Sequence, residues 1–202
     1  MNIDKNDILI VFPLVALLLL GIIMVASSSI YIADNNESNP FHFVQMQSLF
    51  IAIGILAMIC FLIVPSNFLY KTDWIFMLIS IILLIALFIP DIGTSVNGST
   101  RWIRIGPIGI QPSEICKFSL ILYISGYSVR RMSEIDSLRS FIKPLVLLFV
   151  ISILIMFQPD LGSTAIVCAL VVGILFYAGI SYSQLGLLIL LIALLGYLAI
   201  TE

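Results

Sequence analysis

A chain of 202 residues that is 61% hydrophobic and 10% charged, with a mean hydropathy of +1.22, falls outside the soluble globular class, for which about a quarter of residues are charged. A net charge of −2 offers no basic footprint for nucleic acid, and a single histidine, His42, argues against histidine metal clusters and Ser-His-Asp triads. Cys60, Cys116 and Cys168 have neither CxxC nor metal spacing and read as small buried hydrophobes.

The composition defines an all-α polytopic membrane protein. A helix crossing the bilayer core needs about 20 residues. The apolar runs predict seven spans in a single membrane domain covering 1–202: roughly 8–32, 44–64, 74–90, 113–129, 141–157, 162–180 and 184–201. The first run is long and lacks a small-residue cleavage site, so Gly21 and Ser27–Ser29 read as a close-packing surface between helices. The loop Asp34–Asn39 has no basic residue, Lys71 lies between spans two and three, and Arg130, Arg131, Arg139 and Lys143 surround the connection between spans four and five. The positive-inside bias then places the N-terminus, with Lys5, in the cytoplasm. The segment 91–113, the turn Gln158–Ser163 and Glu202 share the outer face.

The polar island Asp91–Lys117 interrupts this pattern between spans three and four. Asn97-Gly98 marks a tight turn, Arg101 and Trp102 suit the membrane interface, and Gly106, Pro107 and Gly109 break any helix. Gln111-Pro112-Ser113-Glu114 opens the fourth span, with proline in the first turn and Ser113 expected as the cap. Glu114 and Lys117 are three apart and share a helix face. Two readings stand side by side: an ion pair that stabilises a helix end, or a cation site for an anionic lipid headgroup. Further on, Gln158-Pro159-Asp160-Leu161-Gly162-Ser163 opens the sixth span, and Asp160 is placed to cap it. Both outer motifs open a helix around a proline. Two positive helix ends on one face are a setting for phosphate oxygens.

NGSTRWIRIG, IQPSEICKFSL with YISGYSVRR downstream, FQPDLGSTAIV and FYAGIS occur in this order. Together they resemble the shape, elongation, division and sporulation (SEDS) family of membrane proteins, and the likeness covers the whole chain. The segment MVASSSIYIADNNESNPFHF is more similar to the division branch than to the rod-elongation branch. The resemblance implies a ten-span helical fold. It also implies peptidoglycan glycosyltransferase chemistry in septal cell-wall synthesis at the bacterial inner membrane. There a sugar hydroxyl attacks the anomeric carbon of lipid II (undecaprenyl-pyrophosphate-linked disaccharide-peptide), and a lipid pyrophosphate leaves. Such a reaction needs a base and cationic help for the leaving group. By motif, Glu114 and Lys117 match the family's charged pair in the fourth span, Arg101 and Trp102 its outer loop, and Asp160 its Gln-Pro-Asp-Leu-Gly turn. Arg101, Arg104 and Lys117 are the cations available to a pyrophosphate.

The chain departs from the family where a large outer loop, three later spans and the proposed catalytic aspartate are expected beyond Glu202, so the N-terminal part of the fold is expected here and the catalytic residue is left unassigned. Gln45-Met46 also stands where the family often has a basic residue. Acidic groups predicted on the outer face are Asp34, Glu37, Asp91, Glu114, Asp160 and Glu202. The implied partners are lipid II, a class B penicillin-binding protein transpeptidase, other division proteins and membrane lipids. No cofactor is evident, and a divalent cation stays open. The alternative reading is a lipid II-binding or flipping protein, or a non-catalytic division scaffold.

Overall fold

The computed structural model describes residues 5–36, 41–90, 92–96, 99–105, 108–134 and 137–201. Among them are seven α-helices: α1 (Lys5–Asn36), α2 (His42–Ile63), α3 (Ser66–Ala86), α4 (Pro112–Arg130), α5 (Leu138–Met156), α6 (Leu161–Tyr177) and α7 (Tyr182–Thr201). Each falls on a predicted span, which makes the chain an all-α polytopic membrane protein. By length and composition alone, α1, α2, α3 and α5 can cross a bilayer, whereas α6 and α7 supply shorter apolar stretches. Helix α4 is less apolar because it carries Glu114, Lys117 and several serines.

The chain divides into two compact units, Met1–Pro65 and Ser66–Glu202. The first is a pair of helices, α1 and α2, packed on each other. Within this unit its small residues do not make the described helix–helix contacts. The Ser28 and Ser29 hydroxyls turn back onto their own helix, donating to Met24 O (2.9 Å) and Val25 O (2.6 Å). Beyond its chain neighbours and the backbone of its own helix, no described atom lies within 4 Å of where a Cβ would stand at Gly21. Cys60 is exposed on α2, which corrects its reading as buried, whereas Cys116 and Cys168 in the second unit are buried as expected.

The second unit packs α4 against α3 and α6, with α5 and α7 on α6. Its core is a column of fully buried residues, including Leu84, Leu120, Ile124, Leu148, Ile151 and Val171. Lipid tails are as apolar as leucine, so leucine burial alone does not select these contacts. Small polar groups are buried among them, the hydroxyls of Ser80, Ser119 and Ser128 donating to carbonyls of their own helices. Ser80, Ser119, Ser128 and Ser152 are all buried, and Ser152 meets Cys168 across the α5–α6 interface (Oγ···Sγ 3.8 Å).

The polar island, read from sequence as a non-helical segment with a turn at Asn97-Gly98, folds before α4 into regular structure. It is a three-stranded antiparallel sheet, β1 (Gly93–Val96), β2 (Ser99–Ile105) and β3 (Ile108–Ile110), in that order. Val96 pairs with Ser99 and Ile105 with Ile108, so both connections are two residues long. Asn97-Gly98, a hairpin dipeptide, and Gly106-Pro107 fill them and lie outside the described residues, as do Asp91, Glu37 and Glu202 and the side chain of Asp34. Gly109, expected only to break a helix, lies in β3. The Trp102 ring covers it so closely that a Cβ there would stand 3.2 Å from Cε3.

Helix α3 begins eight residues before the predicted 74, so Lys71 and Asp73 are helical. The misplacement has a physical origin: Lys-Thr-Asp reads as a loop, but Asp73 is neutralised inside the unit. Its Oδ2 accepts from Arg130 Nη1 at 2.7 Å, and the guanidinium lies over the Tyr70 and Tyr123 rings. Gly126 is what allows this approach, since a Cβ there would stand 2.1 Å from Asp73 Oδ2.

Candidate functional site

The sheet end of the second unit gathers most of the residues singled out from sequence. Arg101 reaches it through a bulge in β2. Thr94 pairs with Trp102 but Ser95 with Thr100, so Arg101 is the extra residue of the pair. A bulge re-aims a side chain out of the regular alternation. The guanidinium of Arg101 meets the α5–α6 turn, where Nε donates to Gln158 O at 3.1 Å and Nη2 donates to Pro159 O. Its Nη1 lies 3.8 Å from Asp160 Oδ1.

Asp160 caps α6 as expected. Its Oδ1 accepts from the Ser163 backbone N–H (3.1 Å), and its Oδ2 accepts from Ser163 Oγ–H (2.7 Å). Burial pushes the carboxyl pKa up, but the two Ser163 hydrogen bonds and the charges of Arg101 and Lys117 outweigh it. The net pKa lies below the ordinary carboxylate value. A second group reaches the same carboxylate from α4: Gln111 Nε2 donates to Oδ2 at 3.3 Å. Gln111, not Ser113, occupies the N-cap position of α4, because Pro112 takes the first helical position. Its side chain is turned away to Asp160, so the helix start is tied to its neighbour rather than closed on itself. The two Gln-Pro helix openings thus meet side by side.

Lys117 donates to Glu114 Oε1 at 2.6 Å, the pair predicted from their spacing. The lysine side chain is 15% exposed and the glutamate 58%, so the pair is open at its acidic member rather than enclosed. Trp102 sits half-exposed on the sheet. Arg104 is exposed, and among the described residues no ion pair links it to Asp160 or Glu114. Arg101, Glu114, Lys117 and Asp160 therefore belong to one end of the unit, with Trp102 on the adjoining sheet and Arg104 apart.

Sequence reasoning missed three members of this end. Gln111 and Ser163 hold Asp160, and Gln158 is buried with its Nε2 unpartnered, as is Ser113 Oγ. The signal for the glutamines was the repeated Gln-Pro at two helix starts. The arrangement places two cations, two helix N-termini and two unused buried polar groups together. Such a site can hold an anion of several oxygens. Its two carboxylates already face Lys117 and Arg101, and no group of three His, Cys, Asp or Glu converges among the described residues.

Apolar helices carrying a small sheet and a cluster of charged side chains at one end define a polytopic membrane protein. Residues 8–201 match the FtsW/RodA/SpoVE family of cell cycle proteins, and the chain belongs to that family. It is 38% identical over 188 residues to a probable peptidoglycan glycosyltransferase FtsW of Legionella pneumophila, covering 92% of this chain and 48% of that protein. With the protein of the same description from Marinomonas mediterranea the identity is 34% over 200 residues, covering 98% and 49%. The chain thus spans about half the length of the curated relatives it matches. Among solved structures it is similar in fold to the rod shape determining protein RodA of Thermus thermophilus (TM-score 0.64, 22% identity, 88% of this chain and 58% of that one). A chain of a solved peptidoglycan synthase complex that coordinates polymerization and crosslinking is also similar (TM-score 0.56, 22% identity, 73% and 44%).

Proposed function

We propose that the whole protein is a peptidoglycan glycosyltransferase that polymerises lipid II during septal cell-wall synthesis, and that the sheet end of this chain binds the lipid-linked pyrophosphate. The observation that carries the proposal is the meeting of the two Gln-Pro helix openings beside Arg101 and Lys117. Relatives described as probable FtsW glycosyltransferases, at 38% and 34% identity, support the reaction class. Arg101 and Lys117 would offset charge on the pyrophosphate as it leaves, and the N–H groups of the first turn of α4 would add partial positive charge. Trp102 would cover the site from the membrane interface. Asp160 is committed to Ser163, Gln111 and Arg101, and Glu114 to Lys117, so neither is free to act as general base. This cluster therefore serves binding and charge stabilisation.

The sheet end faces outward and Arg130–Lys143 faces the cytoplasm of the inner membrane in this reading, because basic residues gather at the latter end. A crosslinking transpeptidase of the class B penicillin-binding type is the expected partner, and the likeness to a chain of a peptidoglycan synthase complex supports it. The test is the full-length protein with labelled lipid II and its cognate transpeptidase. Arg101→Ala and Lys117→Ala should each lose lipid II binding and glycan polymer. Unchanged binding in both variants would remove the anion site from this end. Impermeant thiol labelling in intact cells tests the orientation: a cysteine at 97 should react and one at 137 should not.

A further inference from the structure

The end of the second unit opposite the sheet contains a polar cavity of about 550 Å³ that the proposed reaction does not use. Tyr127 and Arg131 from the end of α4, Glu134 from the following 3-10 turn, and Arg139, Ser140 and Lys143 from the first turns of α5 wall it. Its back wall is fixed, since buried Tyr127 Oη donates to Ser140 O at 3.1 Å. Three cations face one carboxylate. That carboxylate, Glu134, is taken by Arg131 at 2.7 Å. Among the described residues neither Arg139 nor Lys143 has an ion-pair partner; Asp136 lies outside them.

Arg139 and Lys143 are four apart and share a face of α5 at its N-terminal end, where Ser137 is the cap. The partial charge of a helix N-terminus is positive, so cations are unfavourable there unless an anion lies among them. The last turns of α4 also border an apolar groove of about 330 Å³, lined by Val129, Met132, Ile174 and Tyr177 among others. The groove lies on a different face of α4 from the cavity, so the cavity is read for the headgroup alone: a cationic pocket at the basic end of membrane helices suits a lipid phosphate. Basic pockets between membrane helices bind such headgroups.

We propose that this cavity holds the phosphate of an anionic glycerophospholipid, with Arg139 and Lys143 as its cationic ligands. The full-length protein in mild detergent is titrated with phosphatidylglycerol or phosphatidylcholine, and bound lipid is counted by native mass spectrometry. Phosphatidylglycerol should be retained in preference to phosphatidylcholine. The double variant Arg139→Gln/Lys143→Gln should lower its affinity about thirtyfold, at about 1 kcal/mol per cation. The variant Lys71→Gln removes a charge of the second unit that does not line the cavity and should leave the affinity unchanged. Equal retention of the two lipids, or undiminished phosphatidylglycerol binding by the double variant, would overturn the proposal. Displacement of the lipid by inorganic phosphate would do so too, by assigning the cavity to a soluble anion. Lipid II binding at the sheet end is a separate measurement, so the two assignments fail independently.

Discussion

The two ends of the second unit each join helices through a carboxylate and an arginine, but in different ways. Asp73 is sealed: its side chain is 2% exposed, Arg130 meets it at 2.7 Å, two tyrosine rings cover the guanidinium, and Gly126 leaves no room for anything else. Arg101 and Asp160 meet only at 3.8 Å, and each spends its shorter bonds on other groups. Beside them Lys117 has an exposed partner, and Ser113 and Gln158 keep unused polar atoms. A pair whose carboxylate is enclosed by packing is a fastener. A cluster that leaves donors unspent has room for a ligand. Both ends bring charge to a membrane protein, and enclosure separates them: the Asp73 carboxylate is shut in, whereas the Lys117 pair is open at Glu114.

The largest way to break the contrast is Arg130→Ala, which leaves Asp73 buried without a counter-charge. Removing one partner of a buried pair costs ~3–5 kcal/mol, and the one-third exposure of Arg130 places the expected loss near the lower figure. A melting series in detergent checks it, and a loss comparable to that of an exposed pair would dissolve the distinction. Gly126→Ala comes next, because the new methyl would displace Asp73 Oδ2; overpacking of this kind costs ~1–3 kcal/mol. Asp160→Ala should cost less, ~0.5–2 kcal/mol for a lost cap. In contrast to the two changes at the Asp73 end, it should also weaken lipid II binding, since Arg101 and Gln111 lose their common anchor.

The same carboxylate sharpens the comparison through pH. Its folded pKa lies below the unfolded value near 3.9, so between the two the unfolded chain binds more protons and stability rises with pH. The contribution is complete above roughly pH 4 and is lost as pH falls through the folded value. The melting difference between wild type and Asp160→Asn should therefore be constant near neutrality and shrink below that point. Smallest of all is Glu114→Gln. An exposed pair is worth ~0–1 kcal/mol, so melting should hardly move, and any loss of lipid II binding would come from a changed Lys117 charge environment.

Much of this was legible in the residues. Seven apolar runs marked seven helices because a bilayer demands about 20 apolar residues per crossing whatever the neighbours are. The Asp160 cap and the Glu114–Lys117 pair were legible because each is closed within one helical turn. The strands were half-legible: Asn97-Gly98 announced a turn, and Ser-Thr-Arg-Trp-Ile-Arg-Ile beside it had the β-rich composition of a hairpin arm.

Local rules determined what depends on neighbours in the chain: membrane class, helix number, caps and i,i+3 pairs. Tertiary structure alone decided the rest. It turned Gln111 away from its own helix to Asp160, used a bulge to aim Arg101 at a turn nearly sixty residues away, and set Asp73 against Arg130 at a distance of 57 residues. It also left Arg104 outside the cluster that Arg101 joins. The reason is physical. A buried charge or a free donor takes whichever complementary group the packing of helices brings within about 3 Å, and that group has no fixed spacing along the chain.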